Sequence, residues 1–360
     1  MSDIKIKAEQ EAARLERKYG LKSGSTGDEK FKLNVVPTGS LALDYALGTG
    51  GWPLGHPVEV FGPPDIGKSS VIGFNAIRSA QKMGLFCGII ALEPGFDGDW
   101  AIKNGVDPEL LVVARPNNGE EAFEMMYEWV ADDIVDFIVF DSIGAVITAS
   151  ELAQDEMKSK VGGQSKLITD GVKRALVPCW KNNKGIILLN QVRDDMKSRI
   201  PGQVESPGGH ALKHTCAIRV QLKPSGPAFK AKVDGEDIVI GRTMVAIIKR
   251  NKLSEGSNRR AEFDYYQMET DSNMVGIDVG KDVIATGIRT RVIEKAGAWF
   301  RHDTFPGDKK QLQGKDAVNE FLLNNNAALE TIRQEVFAVM LKKQQEAKNT
   351  RPSLEVVADG

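Results

Sequence analysis

The feature that most constrains the fold is a glycine-rich segment, GPPDIGKS, at residues 62–69. It satisfies the pattern G-x-x-x-x-G-K-[ST], whose glycines let backbone N–H groups surround a phosphate at a helix N-terminus. The apolar segment PVEVF precedes it, and the segment SSVIGFNAIRSAQKMG, which has helical character, follows it. A strand, a phosphate loop and a helix in this order predict an α/β fold that binds a nucleoside triphosphate.

The loop itself has an unusual interior. Pro63 and Pro64 have no backbone N–H to donate, and Asp65 places negative charge near the phosphates. Lys68 is expected to reach the β- and γ-phosphates, and Ser69 to ligate Mg²⁺. We expect nucleotide binding to persist with altered affinity, because donors remain later in the loop. The predicted nucleotide-binding residues of this segment are Gly62, Pro63, Pro64, Asp65, Ile66, Gly67, Lys68, Ser69 and Ser70.

Short apolar runs alternate with segments of helical character after about residue 35. Continuous apolar runs between helices indicate a sheet that is covered on both faces and is mostly parallel. The last runs follow one another without helices between them, which predicts antiparallel strands at one edge. The predicted strands are residues 57–61, 86–92, 136–141, 185–191, 216–222 and 243–249.

Acidic and aromatic residues follow the predicted strands. Asp141 ends the strand FIVFD and is interpreted as a metal-associated carboxylate, the alternative being a helix cap. Glu93 ends the predicted strand FCGIIALE, which precedes FIVFD in the chain, and is the candidate general base for hydrolysis. Trp100 lies seven residues later and is read equally well as an adenine-stacking ring or as a core aromatic.

The ends of the chain differ in character from its centre. Residues 3–19 predict a lone helix, which either folds back on its own domain or docks on a neighbouring subunit. A polar linker follows it, and a final helix is predicted over residues 327–348. The predicted domains are an N-terminal helix and linker, a core with the phosphate loop, a small α+β domain and a tail, over residues 1–34, 35–270, 271–350 and 351–360.

The composition of the chain says more about its cellular compartment than about its function. A net charge of -2 neither requires nor excludes nucleic acid. Cys87, Cys179 and Cys216 form no CxxC pair, which favours reduced, buried thiols. No apolar run approaches the roughly 20 residues of a membrane span, and the N-terminus lacks the apolar core of a signal peptide. We therefore expect a cytoplasmic protein with no membrane association.

Several motifs in sequence order resemble the bacterial RecA recombinases over roughly residues 35–320. They are TGSLALDYALGTGGWPLGHPVEVFGPPDIGKSS, DSIGAVIT, LLNQVR, PGGHALK and VIEKAGAWF. The resemblance implies a RecA-type ATPase core with an N-terminal polymerisation helix and a small C-terminal α+β domain, residues 271–350, that binds DNA. It also implies a helical homo-filament on single-stranded DNA that uses ATP and Mg²⁺ to pair it with homologous duplex DNA in recombination and repair. Single-strand-binding and loader proteins are expected partners.

The resemblance also implies roles for individual residues. Glu93 matches the family's catalytic glutamate, and Asp97 and Trp100 match its adenine-side residues. Gln191 matches the sensor that links the γ-phosphate to a DNA-binding loop. Two cations that reach the ATP of a neighbouring subunit correspond to Arg250 and Lys252.

Two long loops at about residues 151–166 and 192–209 are the predicted DNA sites. Cations supply phosphate contacts, and glycines allow close backbone approach. By composition alone both loops read as solvated surface, and the family position reverses that reading. Lys173 and Arg174 lie on the helix that is predicted to follow the first loop. The predicted DNA-binding residues are Lys158, Lys160, Val161, Gly162, Gly163, Lys166, Lys173, Arg174, Arg193, Lys197, Arg199, Ile200, Gly208 and Gly209.

The sequence departs from the family pattern in this region. Ile200 replaces an aromatic residue at the tip of the second loop, and His214 replaces the aromatic residue expected after HALK. Two rival functions stay open at this point. One is a structural or signalling DNA filament with a weak ATPase, and the other is a hexameric helicase motor with a similar core.

Overall fold

The computed structural model describes residues 2–19, 33–153, 163–194, 204–205, 209–233, 235–254, 259–270 and 274–349. The helices are α1 (Ser2–Tyr19), α2 (Leu41–Leu47), α3 (Asn75–Lys82), α4 (Gly98–Lys103), α5 (Gly119–Ala131), α6 (Ala149–Leu152), α7 (Gly163–Lys181), α8 (Gly209–Thr215), α9 (Val279–Thr290), α10 (Lys315–Asn324) and α11 (Asn326–Asn349).

Most of the strands are short, and two have 16 residues each. They are β1 (Val35–Val36), β2 (Trp52–Pro53), β3 (Val58–Gly62), β4 (Cys87–Ala91), β5 (Leu111–Ala114), β6 (Phe137–Asp141), β7 (Gly185–Gln191), β8 (Arg193–Asp194), β9 (Val204–Glu205), β10 (Ile218–Val233), β11 (Glu236–Asn251), β12 (Arg260–Tyr266), β13 (Gly276–Ile277), β14 (Glu294–Ala296), β15 (Trp299–Arg301) and β16 (Gln311–Gln313).

The chain forms two compact units. The first contains the described residues within Met1–Val36, Trp52–Leu222 and Lys249–Leu253. The second contains those within Pro37–Gly51, Lys223–Ile248 and Ser254–Gly360. Within the described ranges, no helix combines the length and the apolar character that a membrane span requires.

A parallel sheet forms the centre of the first unit, in the order β10-β3-β7-β6-β4-β5. Val139 and Phe140 point to opposite faces of it, and both are fully buried. On one face Phe123 of α5 stacks on Phe140 with ring centroids 5.1 Å apart. On the other face Gly73, in the π-helical turn Ser69–Phe74, lies against Val139. The sheet is therefore covered on both sides, as its continuous apolar strands predict.

Strand register brings the ends of four strands together. Gly62 at the end of β3 pairs with Gln191 at the end of β7. Asp141 at the end of β6 pairs with Ala91 at the end of β4. Glu93 lies two residues beyond Ala91, and its backbone N–H is 3.4 Å from the Asp141 carbonyl oxygen. The carboxyl ends of parallel strands are where open α/β sheets bind ligands.

The second unit contains antiparallel strands and helices. β11 pairs with β12 and β12 with β13, and β14, β15 and β16 form a separate three-stranded sheet. Its apolar core takes residues from helices and from this small sheet, among them Leu41, Ile284, Ile293, Phe300, Val318, Leu329 and Ile332. The prediction of a mostly parallel, helix-flanked core with antiparallel strands and a small α+β part is confirmed.

A buried carboxylate caps the N-terminus of helix α2 in the second unit. Asp282 of α9 accepts hydrogen bonds from the backbone N–H groups of Leu41 at 2.5 Å and Ala42 at 3.2 Å. Ser40 adds a side-chain cap, because its hydroxyl accepts from the Leu43 N–H at 3.1 Å. Burial raises the pKa of Asp282 to about 7. The cap therefore joins two helices that are far apart in sequence.

The structure differs from the predicted strands in extent. The last two predicted strands are parts of β10 and β11, which run well beyond the apolar segments that predicted them. Leu111–Ala114 forms edge strand β5, which was not predicted although its residues LVVA are a continuous apolar run. The three cysteines are all buried, as expected.

Candidate active site

The phosphate loop connects β3 directly to a helical segment. Gly62 has no room for a side chain, since a Cβ there would lie 2.3 Å from the carbonyl oxygen of Leu222. Asp65 and Gly67 both adopt positive φ, of 57° and 75°. The Val71 N–H then donates to the Gly67 carbonyl at 2.7 Å, which starts the helical hydrogen bonding. The segment thus has the loop-to-helix form that binds phosphate.

Lys68 lies buried at the base of this loop. Its Nζ donates to the Pro63 carbonyl oxygen at 2.7 Å. Burial lowers the pKa of Lys68, and the nearby carboxylates of Glu93, Asp141 and Asp65 act in the opposite direction. The Pro63 carbonyl is a neutral acceptor, so an anionic phosphate oxygen can replace it as the partner of Lys68.

Asp141 and Ser69 supply hard oxygen atoms next to the lysine. Burial raises the pKa of Asp141 to about 6, and the charge of Glu93 adds to this effect. A hydrogen bond from the Ser69 side chain and the charge of Lys68 oppose it. Mg²⁺ takes oxygen ligands and in nucleotide sites uses few protein carboxylates. The pair therefore fits a magnesium ion that also binds phosphates, and such an ion would neutralise phosphate charge.

Glu93 receives two hydrogen bonds on one carboxylate oxygen. The Ser142 hydroxyl donates to Glu93 Oε1 at 2.5 Å, and Gln191 Nε2 donates to the same atom at 2.9 Å. Glu93 and Gln191 are half-buried and Ser142 is fully buried. The structure thus brings the predicted base and the predicted sensor into direct contact. Neither bond uses Oε2, which remains available to accept a proton.

The predicted adenine-side residues, Asp97 and Trp100, lie at the start of helix α4. Asp97 caps this helix by accepting from the N–H groups of Asp99 at 2.9 Å and Trp100 at 3.2 Å. The Trp100 indole N–H donates to the Ser70 hydroxyl at 2.8 Å. Trp100 is therefore held against the helix that follows the phosphate loop, although a stacking role for its ring stays a prediction.

Arg250 and Lys252 contact the end of helix α8 in the first unit. Arg250 Nη1 donates to the Lys213 carbonyl oxygen at 2.7 Å and lies 3.3 Å from Nδ1 of His214. Lys252 Nζ donates to the His214 carbonyl oxygen at 2.5 Å. Cations at a helix C-terminus interact favourably with its exposed carbonyl groups. A role of these cations toward a neighbouring subunit stays a prediction.

Two polar groups around the site escaped the sequence analysis. Ser142 lies in the motif DSIGAVIT, but the sequence analysis assigns it no role. Glu59 of β3 is fully buried and accepts from Arg219 Nε at 2.5 Å and from Asn190 Nδ2 at 2.9 Å. The signal for Glu59 was present, because a carboxylate inside the apolar run PVEVF requires a buried partner.

Asn190 extends this network toward the sensor. Its Oδ1 accepts the backbone N–H of Gln191 at 2.9 Å. The side chains of Arg219, Glu59 and Asn190 therefore form a continuous hydrogen-bonded path to the backbone of Gln191, whose side chain contacts Glu93.

Gly163, Lys166 and Gly209 were predicted in loops but lie on helices, whereas Lys173 and Arg174 lie on a helix as predicted. Gly163, Lys166, Lys173 and Arg174 belong to α7, where both lysines are exposed. Gly209 begins α8, and the backbone of Arg193 pairs with that of Glu205. The other predicted contacts lie outside the described residues: Lys158, Lys160, Val161, Gly162, Lys197, Arg199, Ile200 and Gly208.

Arg174 already has partners within the first unit. Its Nη2 donates to Glu124 Oε1 at 3.0 Å, and its guanidinium lies 3.9 Å from the ring centroid of Tyr127. A contact from Arg174 to a DNA phosphate would compete with this ion pair. The assignment of all these residues to DNA stays a prediction.

A parallel sheet with a phosphate loop after β3, a buried lysine and acidic strand ends defines a P-loop ATPase. The family model for the RecA N-terminal domain matches residues 7–270, and the model for the RecA C-terminal domain matches residues 281–341. The chain belongs to the RecA family, whose members are ATP-dependent recombinases that assemble into helical filaments on DNA.

Two relatives named Protein RecA agree with this assignment. A protein named Protein RecA from Bacteroides thetaiotaomicron is 32% identical over 345 residues, which are 95% of this chain and 99% of the relative. Protein RecA from Rhodopirellula baltica is 34% identical over 311 residues, 86% of this chain and 78% of the relative. A crystal structure of the RadB recombinase is 19% identical in sequence, with a TM-score of 0.49. The match covers 65% of this chain and 97% of the RadB chain.

Proposed function

We propose that this protein couples ATP hydrolysis to homologous pairing and strand exchange on single-stranded DNA. The observation that supports the proposal most directly is the meeting of Lys68, Asp141, Gln191 and Glu93 at one edge of the sheet of the first unit. Each comes from a different strand end or loop, and each has the chemistry that phosphoryl transfer requires.

Glu93 acts as the general base in this proposal. Its Oε2 accepts a proton from water while the water oxygen attacks the γ-phosphorus, which gives ADP and inorganic phosphate. Lys68 binds the phosphate oxygens and stabilises their charge. Asp141 and Ser69 would hold Mg²⁺, which supplies charge neutralisation on the phosphates. Gln191 couples the γ-phosphate to the predicted DNA-binding loop that follows it in the chain.

DNA binding and assembly complete the proposal. The cations and glycines predicted in the two loops contact DNA phosphates, and Val161 and Ile200 contact bases. Arg250 and Lys252 reach the ATP of a neighbouring subunit, so that hydrolysis depends on assembly. A cation supplied in this way contributes about 10³–10⁵ in rate.

We propose the domain boundaries given above, a cytoplasmic location, and single-strand-binding and loader proteins as partners. These follow from the sequence and from membership of the family.

A displacement-loop assay tests the function. Wild-type protein with ATP is expected to pair a single strand with homologous supercoiled duplex, and Lys68→Ala is expected to abolish pairing. Lys103→Ala, which alters an exposed lysine on α4, is the matched control and should retain activity. Glu93→Gln should bind ATP but hydrolyse it at least about 10²-fold more slowly.

Failure of wild-type protein to form displacement loops would refute strand exchange. Filaments on single strands without exchange would support the structural or signalling alternative. Unwinding of a forked duplex would instead support a helicase motor.

A further inference from the structure

We infer that Ser142 is a positioning residue for the catalytic carboxylate of Glu93. Its hydroxyl donates to Glu93 Oε1 at 2.5 Å, which is a short hydrogen bond of the kind that hydroxyl groups form with ionised acceptors. This inference rests on the proposed function, because it takes Glu93 as the general base.

The hydroxyl of Ser142 does not cap a helix, which is the role that its position in the chain suggests. Ser142 precedes the short 3₁₀ turn Ile143–Ala145, where a serine commonly caps the helix with its side chain. Here the side chain makes no cap hydrogen bond. It points to Glu93 from a position that is only 1% exposed. A capping role therefore does not account for this serine.

The geometry explains what the bond achieves. A glutamate side chain rotates about several bonds, and each rotation moves both carboxylate oxygens. Ser142 and Gln191 donate to the same oxygen from two directions, which fixes Oε1 and leaves Oε2 as the atom that can face water. Bases held in one orientation transfer protons more efficiently than mobile ones, because fewer unproductive arrangements compete.

Ser142 differs from Gln191 in what else it can do. Gln191 ends β7 and precedes a loop, so its side chain has a second proposed task toward the γ-phosphate. If Gln191 turns to the phosphate, Ser142 remains as the donor on Oε1. Ser142 thus keeps the Glu93 carboxylate oriented while Gln191 is turned toward the γ-phosphate.

Steady-state ATP hydrolysis on single-stranded DNA tests the role. Ser142→Ala is expected to lower kcat about tenfold while the KM for ATP stays within about twofold, since the hydroxyl contacts Glu93, the proposed general base. A tenfold loss corresponds to about 1.4 kcal/mol of barrier. Ser79→Ala, on the half-buried side of helix α3, removes a hydroxyl elsewhere in the same unit and should leave kcat unchanged.

A second pair of variants separates the hydroxyl from the volume of the side chain. Ser142→Thr and Ser142→Val have nearly the same shape, but only threonine retains the donor. Threonine is expected to hydrolyse ATP about tenfold faster than valine at saturating ATP. Equal kcat values for these two variants, or a wild-type kcat in Ser142→Ala, would overturn the inference.

The double variant distinguishes this inference from the proposed function. In a Glu93→Gln background, Ser142→Ala is expected to cause no further loss, because the base is already absent. A Glu93→Gln protein with full ATPase activity would refute the proposed role of Glu93 itself. An inactive Glu93→Gln together with a fully active Ser142→Ala would refute only the role of Ser142.

Discussion

The buried ion pair between Glu59 and Arg219 gives the sharpest test of how the first unit is stabilised. The Glu59 side chain is 0% exposed and that of Arg219 is 13% exposed, with Arg219 Nε 2.5 Å from Glu59 Oε2. The guanidinium also lies 4.8 Å from the ring centroid of Phe61. Arg219→Met removes the cation and leaves the Glu59 carboxylate buried in the sheet. Of the two hydrogen bonds to Glu59 given above, the one from Asn190 remains.

The expected cost is large because the remaining charge has no water to solvate it. Removing one partner of a buried pair typically costs about 3–5 kcal/mol. The double variant Glu59→Gln/Arg219→Met should recover about half of this loss or more. Its glutamine is neutral and can still accept from Asn190 through its amide oxygen.

Urea unfolding at low protein concentration measures both free energies of unfolding. Arg174→Met is the matched control, because it breaks an arginine–glutamate pair whose side chains are about half exposed. Exposed pairs contribute about 0–1 kcal/mol. A loss below about 1 kcal/mol for Arg219→Met, or a double variant less stable than the single one, would refute the reasoning.

Three further changes have defined outcomes. Gly62→Ala would place Cβ 2.3 Å from the Leu222 carbonyl oxygen, so we expect a lower melting temperature and loss of ATP binding by calorimetry. Burial raises the pKa of Asp44 to about 7, so the folded protein retains a proton that the unfolded chain releases, and stability falls as pH rises from about 4 to 7. Asp44→Asn should reduce this fall, with a gain on the order of 2 kcal/mol at pH 7.5 in thermal unfolding. Trp100→Phe loses the 2.8 Å bond to Ser70 and should weaken ATP binding about fivefold in a fluorescence titration.

The sequence predicted the parts of the site that follow from local pattern. Lys68 and Ser69 are set by a motif, and Asp141, Glu93 and Gln191 each end an apolar run. Parallel strands place such ends at one edge, so their proximity followed from the fold class.

Contacts across strands could not be predicted in the same way. Ser142 and Glu93 are 49 positions apart, and Arg219 and Glu59 are 160 positions apart. Which polar side chains meet depends on strand order and register, and periodicity within one segment contains neither. The cap of Asp282 on helix α2 is the extreme case, because its partners are more than 200 positions away.

The unusual interior of the phosphate loop can be understood from its geometry. Pro63 contributes a carbonyl oxygen, which accepts from Lys68 at 2.7 Å, and proline retains that group. Asp65 occupies a left-handed conformation, φ 57°, that aspartate tolerates better than most residues. The N–H groups at the start of a helix have no intrahelical partners, and here they follow Gly67, beyond both prolines. The prolines therefore remove no donor from the helix N-terminus, and the charge of Asp65 is the feature of this loop that should alter phosphate affinity.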